Sequence, residues 1–434
     1  MSDNSSMVKP VTNKDRFLTL DIIRGVALFG ILLINITAFG LPYAYQDPTI
    51  YGGAEGYDLW SWISTEMLFE GTQRGIFSIL FGAGIILLTS RLEKSGIANS
   101  QDIYFRRNVW LMLFGVIHAY ILLWSGEILF AYGLFALIAY VFRHLSPKNL
   151  FIIAIAFLLF GAVLDGLKKN RINDNYLKYT AAIELKNDNV ILTKEQSEDI
   201  EAWEEIEKDM KPDEAKIQKK IDGILGSYTE HFIHNVPASV YMQSSHIYRY
   251  FYDLISMILI GMALFKLGVM TLQAKTRLYL GMMLGGYAVG LTTNYYEVTT
   301  LISSEFSIQA FNQTSDTYWL GRLGMTVGHL GLLLLFCKSG IFSWLQKSLA
   351  AVGQMALTNY VSHSIICGIV FYGIGFGLFA QLARHELYYV VFSIWIAQLI
   401  ISPIWLKYYK FGPLEWLWRS LTYMKRQPMK KEAV

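Results

Sequence analysis

Charge is what this sequence is short of. Only 16% of its 434 residues are Asp, Glu, Lys or Arg, against 53% hydrophobic, and mean hydropathy is +0.35. A soluble globular chain carries about 25% charged residues, so the shortfall excludes the ordinary soluble classes. The net charge of +3 is small and dispersed, which excludes a nucleic-acid partner. Cysteine is nearly absent: Cys337 and Cys367 both lie in apolar segments and give neither a disulfide framework nor a metal-ligand spacing. There is no Walker sequence, no His-Glu-x-x-His and no Gly-x-Ser-x-Gly, and no metal constellation stands out. The first apolar run starts near Phe17 and has no small-x-small cleavage site after it, so it reads as an uncleaved helix rather than a signal peptide.

What is present is a series of long apolar runs, the mark of an all-α polytopic membrane protein. About ten transmembrane helices are expected, at roughly 18–41, 60–90, 104–125, 127–142, 149–167, 237–266, 276–296, 317–337, 353–380 and 386–407. Basic residues gather in alternate connections: Lys9, Lys14 and Arg16 before the first span, Arg91, Lys94, Arg106 and Arg107 in the second connection, and Lys407, Lys410, Arg419, Lys425 and Arg426 after the last. The intervening short connections are acidic or neutral. The positive-inside rule then puts both termini in the cytoplasm. The chain divides into a cytoplasmic tail (1–16), a five-span bundle (17–167), a charged helical extracytoplasmic insertion (168–236), a second five-span bundle (237–410), and an interfacial helix with a basic tail (411–434). In the insertion, the run Glu201–Lys220 reads as an amphipathic helix around Trp203, Ile206 and Ile217; a solvated hairpin and a lid over an outward-facing site are the two readings. No internal repeat supports an inverted-repeat transporter.

An ionisable side chain inside a bilayer is expensive and survives where it meets a partner or a polar cavity. Helical spacing sorts these residues into two layers. In the outer layer, Glu66, Glu70, Gln73 and Arg74 fall on one face of the second span, with Glu70 and Arg74 spaced to pair at i, i+4. His246, Arg249 and Asp253 fall on one face of the sixth span, and Arg322 and His329 on one face of the eighth. His118 lies past the middle of the third span, with Trp124 and Glu127 after it. In the inner layer, Asp21 and Arg24 open the first span with Asn35 deeper along it, while Asn359 and His363 sit four apart in the ninth. Each group has a plain structural reading too: Glu70–Arg74 and Arg249–Asp253 as packing ion pairs, Asp21–Arg24 as a helix-end pair, and the histidines as hydrogen-bonded packing residues.

Several stretches resemble a known family. Leu20-Asp-Ile-Ile-Arg-Gly through Asn35, Phe77-Ser-Ile-Leu-Phe-Gly-Ala-Gly84, Gly115-Val-Ile-His-Ala-Tyr-Ile-Leu-Leu-Trp-Ser-Gly-Glu127, Met355-Ala-Leu-Thr-Asn-Tyr360, Ser402-Pro-Ile-Trp405 and Gly412-Pro-Leu-Glu-Trp-Leu-Trp-Arg-Ser-Leu421 look like signatures of the bacterial YeiB-like proteins, the domain of unknown function 418 family. Glu127 departs from the family pattern, which more often has Asp there. That family is similar to a wider group of membrane acyltransferases, which includes the heparan glucosaminide N-acetyltransferases and also begins with Asp-x-x-Arg-Gly, matched by Asp21, Arg24 and Gly25. The resemblance implies an inner (cytoplasmic) bacterial membrane. It also implies an acyl group taken from a cytoplasmic donor such as acyl-CoA, a co-substrate rather than a bound cofactor, and passed to a hydroxyl or amine on a lipid, glycan or small molecule. His118 would act as general base, Glu127 would orient it, and an arginine (Arg74, Arg249 or Arg322) would hold developing negative charge. Two other readings stay open: a transporter or flippase using the same charged layer, and a non-catalytic scaffold. A homo-oligomer is compatible with all three.

Overall fold

The computed structural model describes residues 17–94 and 100–431. The tail 1–16, with Lys9, Lys14 and Arg16, lies outside the described residues. In order the helices are α1 (Leu18–Gly40), α2 (Gly56–Leu68), α3 (Thr72–Lys94), α4 (Ser100–Tyr120), α5 (Leu129–Ala139), α6 (Pro147–Asn187), α7 (Lys194–Met210), α8 (Glu214–Leu225), α9 (Tyr228–Gln243), α10 (Ser245–Lys266), α11 (Thr276–Ser303), α12 (Ile308–Ser339), α13 (Ser343–Gln354), α14 (Ala356–Phe371), α15 (Leu387–Tyr408) and α16 (Pro413–Thr422). Among the described residues the sole β-type pairing is an isolated bridge, Tyr409 with Lys430. Helix is the form an apolar chain takes in lipid, because every backbone N–H and C=O must be satisfied within the segment.

Six segments are long and apolar enough to cross a membrane: Leu18–Gly40, Gly56–Lys94, Pro147–Asn187, Ser245–Lys266, Ile308–Ser339 and Leu387–Tyr408. Two shorter apolar helices, Leu129–Phe142 and Ala356–Phe371, join them. α1 is largely enclosed, whereas α6 and α15 turn apolar side chains outward, including Leu159, Val163 and Leu167 on one and Ile396, Ile400 and Ile404 on the other. Rows of exposed leucine and isoleucine at helical spacing are what a lipid-facing surface requires. The chain is a multi-pass helical membrane protein in contact with the bilayer.

Close helix contacts are made by glycine. A Cβ on Gly82 of α3 would stand 2.0 Å from the Ile258 carbonyl oxygen, and one on Gly261 of α10 would stand 2.0 Å from that of Ile79. The two backbones touch reciprocally there, the packing that small residues permit between membrane helices.

The helices depart from the expected spans in several places. The span expected at 60–90 is broken: α2 stops at Leu68, Phe69 leaves the helical region, Gly71 takes φ +65°, and α3 begins at Thr72. The span expected at 237–266 breaks at Ser244, and α10 is kinked again at Tyr250 (φ −119°, ψ 19°). The ninth span, expected at 353–380, stops as helix at Phe371, and residues 372–386 return as turns. The amphipathic run 201–220 is two helices, α7 and α8, separated where Asp213 caps the second. Trp203 is buried, as its place in that pattern requires. The C-terminal stretch forms the short helix α16, whose Trp418 indole donates to the Arg107 carbonyl oxygen (2.8 Å) beneath the Arg107 guanidinium.

Candidate functional site

The break at Phe69–Gly71 decides how the charges of α2, α3 and α12 meet. It takes Glu66 and Glu70 off the face that carries Arg74, so the i, i+4 pair Glu70–Arg74 does not form. Glu70 instead accepts from Arg322 Nη2 (2.6 Å), Tyr318 (3.0 Å) and Tyr45 (2.9 Å), while the Arg322 guanidinium stacks on the Tyr318 ring at 3.5 Å. Gly71 is required twice over: its φ is left-handed, and a Cβ there would fall 1.9 Å from Arg322 Nε. Arg74 pairs across to Asp253 of α10 (2.8 Å). The Arg249–Asp253 pair also fails, because the kink at Tyr250 turns Arg249 outward, where it is exposed. His246 does not join either pair; it is half-buried with its ring 4.6 Å from that of Tyr250. His329 gives a hydrogen bond to its own helix, the Met325 carbonyl oxygen (3.1 Å), and packs against Phe69 and Tyr287. Two interhelical ion pairs thus replace two expected intrahelical ones. Beside them, a narrow crevice with about 10 Å³ of room, enough for about one water molecule, is lined by Thr37, Tyr45, Glu66, Glu70, Arg384 and Tyr388.

His118 and Glu127 come together. The α4–α5 connection, with Leu123 at φ +58°, folds back so that Glu127 accepts the backbone N–H groups of Leu129 and Phe130 at the start of α5. That places Glu127 Oε1 3.9 Å from His118 Nδ1. The other ring nitrogen, Nε2, lies 2.7 Å from Ser364 Oγ of α14. Histidine, glutamate and serine are all buried. The His118 ring stands edge-on to Tyr360 at 5.1 Å, one turn before Ser364. His118 Nδ1 is enclosed without a hydrogen bond. The Trp124 indole N–H and the Ile128 backbone N–H both face the Tyr360 hydroxyl oxygen, which leaves the Tyr360 O–H as the donor without an acceptor.

Asp21, Arg24, Asn35, Asn359 and His363 do other work. Arg24 Nη1 reaches Asp21 (2.8 Å) and the Gly353 carbonyl oxygen (3.4 Å), tying the start of α1 to α13. Asn35 is half-buried and makes no hydrogen bond among the described residues. Asn359 donates to the Val352 carbonyl oxygen and to Ser402, and His363 bonds Gln398 (3.1 Å), whose amide returns to the Asn359 carbonyl oxygen. This closed ladder fastens α14 to α15.

The insertion covers the His118 connection. Tyr228 of α9 donates to the Ile121 carbonyl oxygen, Asn235 to that of Ala119, and the Gly373 N–H to that of Ile224 in α8. His231 packs edge-on against Tyr372 at 4.3 Å, and burial pulls its imidazole down to about 4. Lys220, its amine 4.1 Å from the Tyr43 ring centre, is pulled down to about 8 by burial.

Sequence reasoning missed Ser364, Tyr45, Tyr318, Arg384 and Asp165. Arg384 is almost wholly enclosed and donates to the Ala44 carbonyl oxygen. Asp165 accepts from Tyr252 (2.9 Å) and Trp319 (2.5 Å). An acid inside the fifth expected span was the available signal for Asp165. No groups of three or more potential metal ligands occur among the described residues.

Comparison with known proteins converges on one family. Residues 264–425 match the family described as protein of unknown function (DUF418). The uncharacterized protein YeiB of Escherichia coli (strain K12) is 31% identical over 95% of this chain and 98% of its own length. The uncharacterized protein YxaH of Bacillus subtilis (strain 168) is 29% identical over 99% of each chain. An uncharacterized 39.9 kDa protein encoded beside an amylase gene in Bacillus acidopullulyticus is 28% identical over 98% of this chain and 99% of its own. No solved structure matches. Near-complete coverage at such identity leaves one conclusion: the chain belongs to the YeiB-like, DUF418 family.

Proposed function

We propose that this protein is a membrane acyltransferase that takes an acyl group from a cytoplasmic thioester of the acyl-CoA type and delivers it to a hydroxyl or amine of a lipid, glycan or small molecule on the outer side. The reading includes about ten crossings with both termini in the cytoplasm. One observation carries it: the His118 imidazole is held between a hydroxyl on Nε2 (2.7 Å) and a carboxylate facing Nδ1 (3.9 Å). That is the order of groups general-base catalysis of acyl transfer needs. The carboxylate favours the tautomer with the proton on Nδ1, which leaves Nε2 free to take a proton. The Tyr360 O–H, which has no acceptor while its oxygen receives Trp124 and Ile128, suits the oxyanion that forms when a carbonyl is attacked. Asp21 and Arg24 mark the donor side, and the crevice beside Glu70 and Arg322 marks the acceptor side.

The test is thermal unfolding of the detergent-purified protein titrated with acetyl-CoA and longer acyl-CoAs, with free carboxylates as controls. A ligand at 100 times its dissociation constant adds about 2.7 kcal/mol if it binds the folded state alone. A saturable shift specific to thioesters is expected; none into the millimolar range refutes the reading. The second reading, a transporter or flippase, draws on the two ion pairs Glu70–Arg322 and Arg74–Asp253 that bridge separate helices, since such charges also line substrate and proton pathways. Flux in sealed vesicles without thioester consumption would establish it instead.

A further inference from the structure

We infer that Ser364 is the nucleophile of the reaction and carries the acyl group as an ester between donor and acceptor. The inference rests on the acyltransferase reading and deepens it. A histidine acting as base on an outside acceptor alone needs no hydroxyl of its own on Nε2; this one has Ser364 Oγ 2.7 Å away, in a buried site where neither group meets bulk water. Nucleophile, base and carboxylate follow one another in the order of the Ser-His-acid arrangement, with Glu127 3.9 Å from His118 Nδ1, a constellation recognised by geometry rather than by sequence position. The order along this chain is His118, Glu127, Ser364, and no Gly-x-Ser-x-Gly surrounds the serine.

The steps balance. Ser364 Oγ attacks the thioester carbonyl carbon while His118 Nε2 takes the hydroxyl proton, and Glu127 compensates the imidazolium charge. Tyr360 donates its O–H to the oxyanion. The C–S bond breaks, and the departing sulfur takes the proton from His118, leaving free thiol and the Ser364 ester. In the second half, an acceptor hydroxyl or amine gives its proton to His118 and attacks the ester carbonyl. The Ser364 C–O bond breaks and Oγ recovers the proton. No oxidant, reductant or metal is needed.

The device answers a topological difficulty. Ser364 lies about 12 Å along the axis from the start of α14, at 1.5 Å per residue. That start is tied down by Glu415, which accepts from the N–H of Leu357 and the hydroxyl of Thr358. The opposite side of the site is closed by the α4–α5 connection and α9. An ester held at this depth lets the donor leave on one side before the acceptor arrives on the other, so the two need never occupy the site together.

The experiment is incubation of the full-length protein with acetyl-CoA in detergent and no acceptor, followed by acid quenching, measurement of released CoA and mapping of acetylated peptides. The wild type is expected to release a burst of about one CoA per chain and to carry acetyl on Ser364, with both signals lost in Ser364→Ala and His118→Gln. Ser364→Cys, which keeps a nucleophile, should carry the acetyl as a thioester sensitive to hydroxylamine. Unfolding midpoints near wild type confirm that the variants are folded. CoA release without label on Ser364, or release that survives in Ser364→Ala, overturns the serine and leaves the acyltransferase standing. Neither release nor label, in a protein whose unfolding is shifted by acetyl-CoA, overturns the covalent ester. The same silence without any shift removes the acyltransferase reading as well.

Discussion

The Glu70–Arg322 pair gives the sharpest test of the outer layer. Both side chains are about nine-tenths buried, and Glu70 accepts three hydrogen bonds, from Arg322, Tyr318 and Tyr45. In Glu70→Gln the amide can keep all three contacts, because its oxygen serves Arg322 and Tyr318 while its NH2 donates to the Tyr45 hydroxyl. Only the charge is lost. Removing one partner of a buried pair costs about 3–5 kcal/mol, and the retained hydrogen bonds put Glu70→Gln at the low end, near 3 kcal/mol. Arg322→Met strands a buried carboxylate and should cost about 4 kcal/mol. In the double variant the stranded charge disappears, so the combined loss should fall short of the sum by about 2–3 kcal/mol. The assay is denaturant-dependent unfolding in mixed micelles, followed by the fluorescence of the 11 tryptophans. The coupling should hardly change between low and high salt, because ions screen enclosed pairs weakly. Additivity within about 0.5 kcal/mol would show that the two residues do not interact, and would refute the break at Phe69–Gly71 that brings them together.

Other consequences follow from neighbouring sites. Asp253→Asn leaves the Arg74 guanidinium without its partner inside a membrane-spanning segment and should cost about 3 kcal/mol; the same unfolding assay measures it. Under the acyltransferase reading, His118→Gln should lower turnover by about 10²–10⁴-fold. Glu127→Asp, which keeps the carboxylate, should retain most activity, and Glu127→Gln should move the pH–rate profile as well as its height, which a purely structural glutamate would not do. Acidification should loosen the insertion. His231 titrates near 4 in place against about 6.5 in the unfolded chain, so the unfolded state binds more protons between those values. Stability is therefore full above about pH 6.5 and lost as pH falls toward 4. Burial is the main cause, with His234 adding repulsion; hydrogen exchange in α8 and α9 should rise over that window in the wild type and much less in His231→Phe.

Part of this was legible in the sequence and part was not, and the division has a physical cause. Membrane helices announce themselves through runs of apolar residues, and these survive in α1, α6, α12 and α15. Short interruptions do not, because a run such as Phe69-Glu-Gly-Thr72 is too brief to lower the apolar signal of the helices around it. Gly71 was the one mark of the break. Once the helix stops there, a face drawn from i to i+8 across it no longer exists, and every pairing inferred from that face goes with it. The kink at Tyr250 undoes the Arg249–Asp253 pair in the same way and carries no proline or glycine to announce it.

The case of α14 argues the same point from the other side. Asn359 and His363 attract notice because they are polar in an apolar helix and four residues apart. Tyr360 and Ser364 have the same spacing on the adjacent face, yet a tyrosine and a serine in a membrane helix invite no comment. The structure turns the first face toward α15, where its hydrogen bonds close on themselves through Gln398 and Ser402. The second face turns toward α4, where it meets a histidine that is otherwise short of partners. A polar group whose bonds are all satisfied by neighbouring helices contributes packing; one with hydrogen-bonding capacity left over in an enclosed site is a candidate for chemistry. By that criterion, the residues most visible in the sequence of α14 fasten the helix, and the less visible ones, Tyr360 and Ser364, face His118.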